Sequence, residues 1–264
     1  KLKSIGVCDS FNLCGALEFS EKISKTGTQP IIGTQINFRF QDYVSKLPLF
    51  ATSEKGFKNL SRLSSKSFLE IKPDESPHCL FDDLLENNND VIVLSGGFRD
   101  FFGGLFKLNK LRQLEDLLQK INNSFKDKFY LEIQRHNEDN EKSFEDYLIT
   151  ISKKLDIPLI ASQEIFYINK DMYEAHDALI CIGEKRFVSD INRLKYNDQH
   201  YLKKQEELKN LYSDIPEALE NNYNFPYRFH FKINKNEPNL PKIVTTNSQS
   251  IENKLLSEAE LGLE

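Results

Sequence analysis

What most narrows the folds open to this chain is an alternation of short apolar runs with longer amphipathic stretches, the pattern of repeated βα units. Candidate strands fall at 4–8, 30–36, 47–51, 90–94, 128–134 and 157–161. Most are rich in Ile, Val, Leu and Phe, as parallel strands covered on both faces must be. Candidate helices occupy 13–25, 54–65, 110–122 and 144–155; in the third, Leu111, Leu114, Leu117, Leu118 and Ile121 repeat at helical spacing. Gly27, followed by Pro30, has the chemistry to stop the first helix. Polar breaks at 87–89 and 137–141 suit turns, and nothing repeats at a solenoid period. The expected fold is a mostly parallel α/β barrel that gives way to helices after about Asp171 and ends in a Pro-rich exit.

Composition excludes some classes of function. The 264 residues carry 35 basic and 40 acidic side chains, a net charge of −5, so the chain has no global attraction for a phosphate backbone. Cys8, Cys14, Cys79 and Cys181 form no CxxC pair, and three of them sit in apolar surroundings that suit reduced core thiols, so a cytoplasmic setting is expected. No apolar run is long enough to span a bilayer.

In βα barrels, polar residues at the C-terminal ends of the strands line the active mouth. Asp9 and Ser10, Gln35, and Gln163 with Glu164 hold such places. Each has a plainer reading. Asp9 suits a cap for a helix beginning near Phe11, in competition with Asn12. Glu132 lies on the polar side of a strand whose opposite face carries Phe129, Leu131 and Ile133, where pairing with a basic neighbour suffices to explain it. His176, on a helix with Met172, Leu179 and Ile180, reads as a satisfied, partly buried histidine. His78, His136, His200 and His230 lie in polar or loop-like surroundings and receive no role. The SGG at 95–97 lacks the residues of a phosphate-binding loop and suits a tight turn. The FRDFFGGLF run at 98–106 reads as core, with an exposed docking patch as the alternative. Lys203, Lys204 and the region of Lys195 are interrupted by acids and read as a solvated face.

Blocks along nearly the whole chain, from about Leu2 to Ile243, resemble the PHP (polymerase and histidinol phosphatase) domain at the N-terminus of bacterial DNA polymerase III alpha subunits. The longest is LKNLYSDIPEALENNYNFP at 208–226, which resembles the end of that domain. In the same order as the family come DSFNLCGALEF at 9–19, QPIIG at 29–33, VLSGG at 93–97, FYLEIQR at 129–135, and IPLIAS at 157–162 with EAHD at 174–177. The resemblance implies an irregular seven-stranded βα barrel of PHP type with a helical C-terminal extension. It implies a domain over 1–234, a linker over 235–248 and the start of the polymerase palm region over 249–264, with the palm's catalytic aspartates beyond Glu264. The chain enters a strand almost at once after Lys1, so a cut start lacking the family's His-x-His segment is expected.

Active members of that family hold up to three divalent metals with a cluster of His, Asp and Glu. Carried over residue by residue, the resemblance gives Asp9-Ser10 for the family's Asp-His and Gln35 for an acidic residue. Lys46 falls at a histidine, and Gln163-Glu164-Ile165-Phe166 at Asn-Asp-x-His. Asp9 and Glu164 survive, with Glu132 and His176 as further candidates, while Ser10, Gln35, Lys46 and Phe166 are changed. A tight transition-metal site wants about four donors in fixed geometry, so these positions read as vestigial, with no catalytic residue and no metal of this segment's own. By resemblance the parent chain is a DNA-directed DNA polymerase using Mg. Its PHP domain packs beside palm and thumb and docks a proofreading exonuclease subunit, with the sliding clamp and primer-template DNA as partners of the parent chain. The alternatives are an active metal-dependent phosphoesterase or 3'-5' exonuclease completed by the missing His-x-His, and a stand-alone phosphatase of the histidinol-phosphate type.

Overall fold

A computed structural model describes residues 2–235, 237 and 250–263. The chain contacts divide it into two compact units, Lys1–Ile233 and Asn234–Glu264. In the first unit the order is β1 (Ser4–Ser10), α1 (Ala16–Lys25), β2 (Gln29–Phe40), β3 (Tyr43–Ala51), α2 (Glu54–Leu69), β4 (Cys79–Leu80), α3 (Phe81–Glu86), β5 (Val91–Leu94), α4 (Phe101–Lys107) and α5 (Leu111–Phe125). There follow β6 (Phe129–Ile133), α6 (Glu141–Leu155), β7 (Leu159–Ala161), α7 (Tyr173–Glu184), α8 (Gln205–Leu211) and α9 (Pro216–Asn224). The second unit holds α10 (Ile251–Leu261), capped by Ser250, whose hydroxyl accepts from the Asn253 N–H at 3.2 Å. Most of the expected linker over 235–248 lies outside the described residues.

The seven strands form one curled sheet in the order β1-β2-β3-β5-β6-β7, with β4 beside the far end of β2. The pairings β1/β2, β2/β4, β5/β6 and β6/β7 are parallel; β3 runs antiparallel to both β2 and β5. The sheet is therefore mixed α/β and mostly parallel, as expected, with one reversed strand that the periodicity did not show. Strand β2 is also five residues longer than the candidate strand at 30–36, running to Phe40, and turns into β3 through Gln41 at φ 55°.

Both faces of the sheet are buried, which is why the strands read as continuous apolar runs. Alternate residues such as Leu47 and Leu49, Val91 and Val93, and Phe129, Leu131 and Ile133 join the core under α2, α5 and α6. Their neighbours Phe50, Ile92, Leu94, Tyr130 and Ile160 face the concave side. The FRDFFGGLF run is core: Phe98, Phe101 and Phe102 are buried there, and Phe106 packs against it. Helix α2 starts at Ser53, whose hydroxyl accepts from the Gly56 N–H at 3.2 Å. Gly56 passes so close to the Asp90 carbonyl that a Cβ would lie 2.0 Å from its oxygen.

Segment 208–230 closes the concave side. Phe225 stands edge-on to Phe50 and Tyr130, with ring centroids 5.8 and 5.7 Å apart, and Phe229 packs behind it at 5.0 Å. Strand β7 is an edge, so the Leu159 and Ala161 carbonyls face away from β6. Asn221 donates to the first at 2.8 Å and Asn222 to the second. Tyr212 donates to the Ser162 carbonyl at 2.9 Å, and the Gln29 amide reaches the Pro226 and Phe229 carbonyls at 3.1 and 3.0 Å. Arg135 forks between Glu145 and Asp214, both at 2.7 Å, which ties the end of β6 to the start of this segment.

Truncating the plug should be costly. Phe225→Ala is expected to lower unfolding free energy by ~3–5 kcal/mol through the cavity it leaves, and Asn222→Ala by ~1–2 kcal/mol through an unpaired edge carbonyl. Urea denaturation followed by circular dichroism measures both.

Candidate functional site

The mouth lies where β1, β2, β6 and β7 end and β3 begins. Because β3 is reversed, its first residues reach the same end as the last residues of its parallel neighbours. Lys46, two residues before Pro48 and four before Phe50, therefore shares their concave face. Its ammonium lies 3.1 Å from Glu164 Oε1, in the loop after β7, and 3.5 Å from Asp100 Oδ1, in the loop after β5. Asp100 is held from below: its Oδ2 accepts the Gly97 N–H at 2.8 Å, across a turn in which Gly96 has φ 77° and a Cβ would lie 2.6 Å from Asp100 Cβ. The tight-turn reading of SGG is what the structure has.

Glu132 stands on the concave face of β6. Contrary to the expectation of a basic partner, it accepts from the Ser162 hydroxyl and from the Gln134 amide at 2.9 Å. Burial pushes its carboxyl above the usual range, and nearby Glu164 adds to this. Burial likewise raises Asp100 to about 7 against the pull of Lys46. Burial works against the charge on Lys46, but Asp100 and Glu164 more than offset it, and its pKa is raised. Asp100 Oδ1 and Glu132 Oε2 are buried with no hydrogen-bond partner.

The remaining candidates are distributed unevenly. The Ser10 hydroxyl donates to the Gln35 side chain at 3.4 Å, on the same side as the partly buried Cys8, which packs against the concave core. Strand alternation turns Asp9 to the other face, where it is exposed and beside Gly15. Asp9 makes no cap. Phe11 has φ 66°, Asn12 closes the turn by accepting from the Cys14 N–H at 3.0 Å, and α1 begins only at Ala16 with no side-chain cap at Gly15.

Phe166 takes part in a column of rings. It stacks on His176 (4.9 Å, 12°) and on His200 (5.1 Å, 27°), and His200 stacks on His136 (4.1 Å, 4°). Tyr196 packs against Phe166 at 4.5 Å and lies under the Arg99 guanidinium, which donates to Glu138 at 2.5 Å. His136 and His200, given no role from sequence, are 3% and 1% exposed, so their loop-like surroundings misled. Lys203 is also buried, over the Tyr201 ring, and not part of a solvated face. Asp100 was missed as well, although it sits three residues past the glycines that end β5. Nothing local marks His200, which reaches the mouth from a long loop after α7. Among the described residues, no group of three or more His, Cys, Asp or Glu is placed to hold a metal ion.

A family model for the PHP domain matches residues 1–136. The chain belongs to the PHP domain family. Along its whole length this PHP domain is also similar to DNA polymerase III subunit alpha of Caulobacter vibrioides, at 32% identity over 271 residues. The corresponding subunit of Rickettsia bellii is 35% identical over 93% of the chain, and that of Vibrio cholerae 30% identical over all of it. The chain spans about a quarter of the length of these relatives, 24%, 21% and 23% respectively. A solved structure described as a metal-dependent phosphoesterase of Bifidobacterium adolescentis superposes with a TM-score of 0.40 at 12% identity, over 61% of this chain and 77% of that one, too loosely to carry an argument.

Burial, with the adjoining His136, lowers the His200 imidazole to about 3. The unfolded chain takes up that proton near the ordinary value, so the stabilisation is complete above about pH 6.5 and is lost as pH falls toward about 3. The expected loss by pH 5 is ~2 kcal/mol. Urea midpoints between pH 7.5 and 5 should fall less steeply for His200→Phe, which keeps the stack, than for the natural chain.

Proposed function

We propose that this PHP domain works as a non-catalytic part of a replicative DNA polymerase alpha subunit. Similarity to such subunits over 93–100% of the chain supports the setting. The observation that carries the non-catalytic reading is the Lys46 ammonium lodged between Asp100 and Glu164, where a metal cluster needs acceptors free of positive charge. Phe166 adds to it. A phenyl ring has no lone pair to offer, and here it serves as the middle plate of a stack. The donor set does not fit a two- or three-metal phosphoesterase centre, and Asp9, Ser10, Gln35, Lys46, Glu132, Glu164, Phe166 and His176 are read as vestigial metal-site positions.

The parent polypeptide, in this reading, is a DNA-directed DNA polymerase of the cytoplasm that extends primers with Mg bound in its palm. The PHP domain contributes packing against palm and thumb and a docking surface for a proofreading exonuclease subunit; the sliding clamp and primer-template DNA meet the rest of the chain. An exposed apolar face on and after α7, with Leu179, Ile182, Phe187, Val188 and Ile191, supports a role in assembly, since a surface of this kind favours being covered. Among the described residues no helix is long and apolar enough to cross a membrane.

Protein purified without chelator and supplied with Mn²⁺ and Zn²⁺ is expected to retain less than about a tenth of an equivalent of metal by mass spectrometry and to leave phosphoester and single-stranded DNA substrates uncut. One or more tightly held equivalents, with hydrolysis lost in Glu164→Gln, would instead establish an active phosphoesterase. Ile182→Asp combined with Ile191→Asp is expected to weaken capture of the exonuclease subunit at least tenfold at unchanged thermal midpoint.

A further inference from the structure

We propose that Lys46 is the fixed cation of this domain, its ammonium standing in for a divalent ion between Asp100 and Glu164 and keeping the mouth closed to metals. The inference rests on the non-catalytic reading and adds the group that enforces it. The carboxylates of Asp100, Glu132 and Glu164 feel one another's charge here without being placed as a preformed ligand set; Asp100 is 4% and Glu132 5% exposed. Asp100 Oδ1 and Glu132 Oε2 have no hydrogen-bond donor, and the positive charge of Lys46, 3.5 Å from the former, is what compensates Asp100 and Glu164. The ammonium is itself held on two sides, by Asp100 and by Glu164 at 3.1 Å, and only 22% of its side chain is exposed. Two further cations are nearby: Arg99 is committed to Glu138, and Lys107, which feels the Asp100 charge, lies over the Phe98 ring. Without Lys46 the carboxylates have two remedies: to take up protons or to recruit a hard divalent cation, for which oxygen donors are suited.

Lys46→Met keeps the stem and removes the charge. Thermal unfolding of the natural chain and of this variant is compared at pH 8, which disfavours protonation, in chelator and in 1 mM Mn²⁺. The natural midpoint is expected to be the same in both within about 1 °C. The variant should fall by about 10 °C in chelator and regain at least half of that in Mn²⁺. Adding Glu164→Gln to Lys46→Met should abolish most of the regain. A Lys46→Met chain as stable as the natural one in chelator, or one that Mn²⁺ does not stabilise, overturns the proposal while the non-catalytic reading stands. A natural chain that Mn²⁺ itself stabilises by several degrees sinks that reading as well. Should Lys46→Met be recovered only as aggregate, refolding decides: recovery in Mn²⁺ but not in chelator supports the proposal, and failure in both overturns it.

Discussion

An open, curled sheet leaves two unpaired edges and a concave face that no helix of a βα unit covers, and everything else in this domain depends on how segment 208–230 meets that need. Side-chain amides of Asn221 and Asn222 take the place of an eighth strand along β7. Phe225 and Phe229 fill the hollow against Phe50 and Tyr130. Buried edge carbonyls without donors are costly, and an empty apolar hollow forfeits dispersion contacts, so sheet and segment are stable only together. Arg135 fastens the two, since its guanidinium bridges Glu145 of α6 and Asp214 just before α9. The longest block that resembles the family in sequence is thus the closure of the fold, and Pro216 at the first turn of α9 helps fix where it begins.

That closure is also what makes a mouth. With the concave side filled from below by Phe225 and Phe229, the polar residues above them are held in a half-dry space where charge is expensive. Asp100 rises to about 7 and Glu132 is pushed upward, both mainly by burial, and Lys46 remains charged because two carboxylates face it. The ring column of His176, Phe166, His200 and His136 walls one side, with His200 kept neutral by the same burial. A mouth lined this way has much of its charge balanced internally, by Lys46 against Asp100 and Glu164. It suits a domain whose work, in the reading proposed here, is to be packed against and docked upon.

Most of the sheet was legible because both of its faces are buried: runs such as Val91 to Leu94 are apolar throughout, and only a short buried strand fits that pattern at that length. The reversal of β3 was not legible, since a strand's side-chain alternation is the same in either direction. The two-residue β4 carries too few residues to show a period. At the site, Glu164 and Lys46 were found through resemblance, whereas Asp100 and His200 were missed because each comes from a loop whose course is set by packing elsewhere. Asp9 was placed at the right strand end, but strand alternation turns it away from the mouth, and the turn through Phe11, which delays α1 to Ala16, leaves it no helix to cap.

What the sequence by itself determined is therefore the βα alternation, the buried strands, the family, and the hydroxyl, amide and phenyl groups carried at Ser10, Gln35 and Phe166, all of which are properties of residue type and spacing along the chain. Which charges meet was decided only by the tertiary structure. Lys46 and Glu164 lie 118 residues apart and touch because an antiparallel strand and a parallel one end at the same rim. No local preference encodes such a meeting; it follows from sheet order, from the direction of β3, and from the plug that keeps the rim in place.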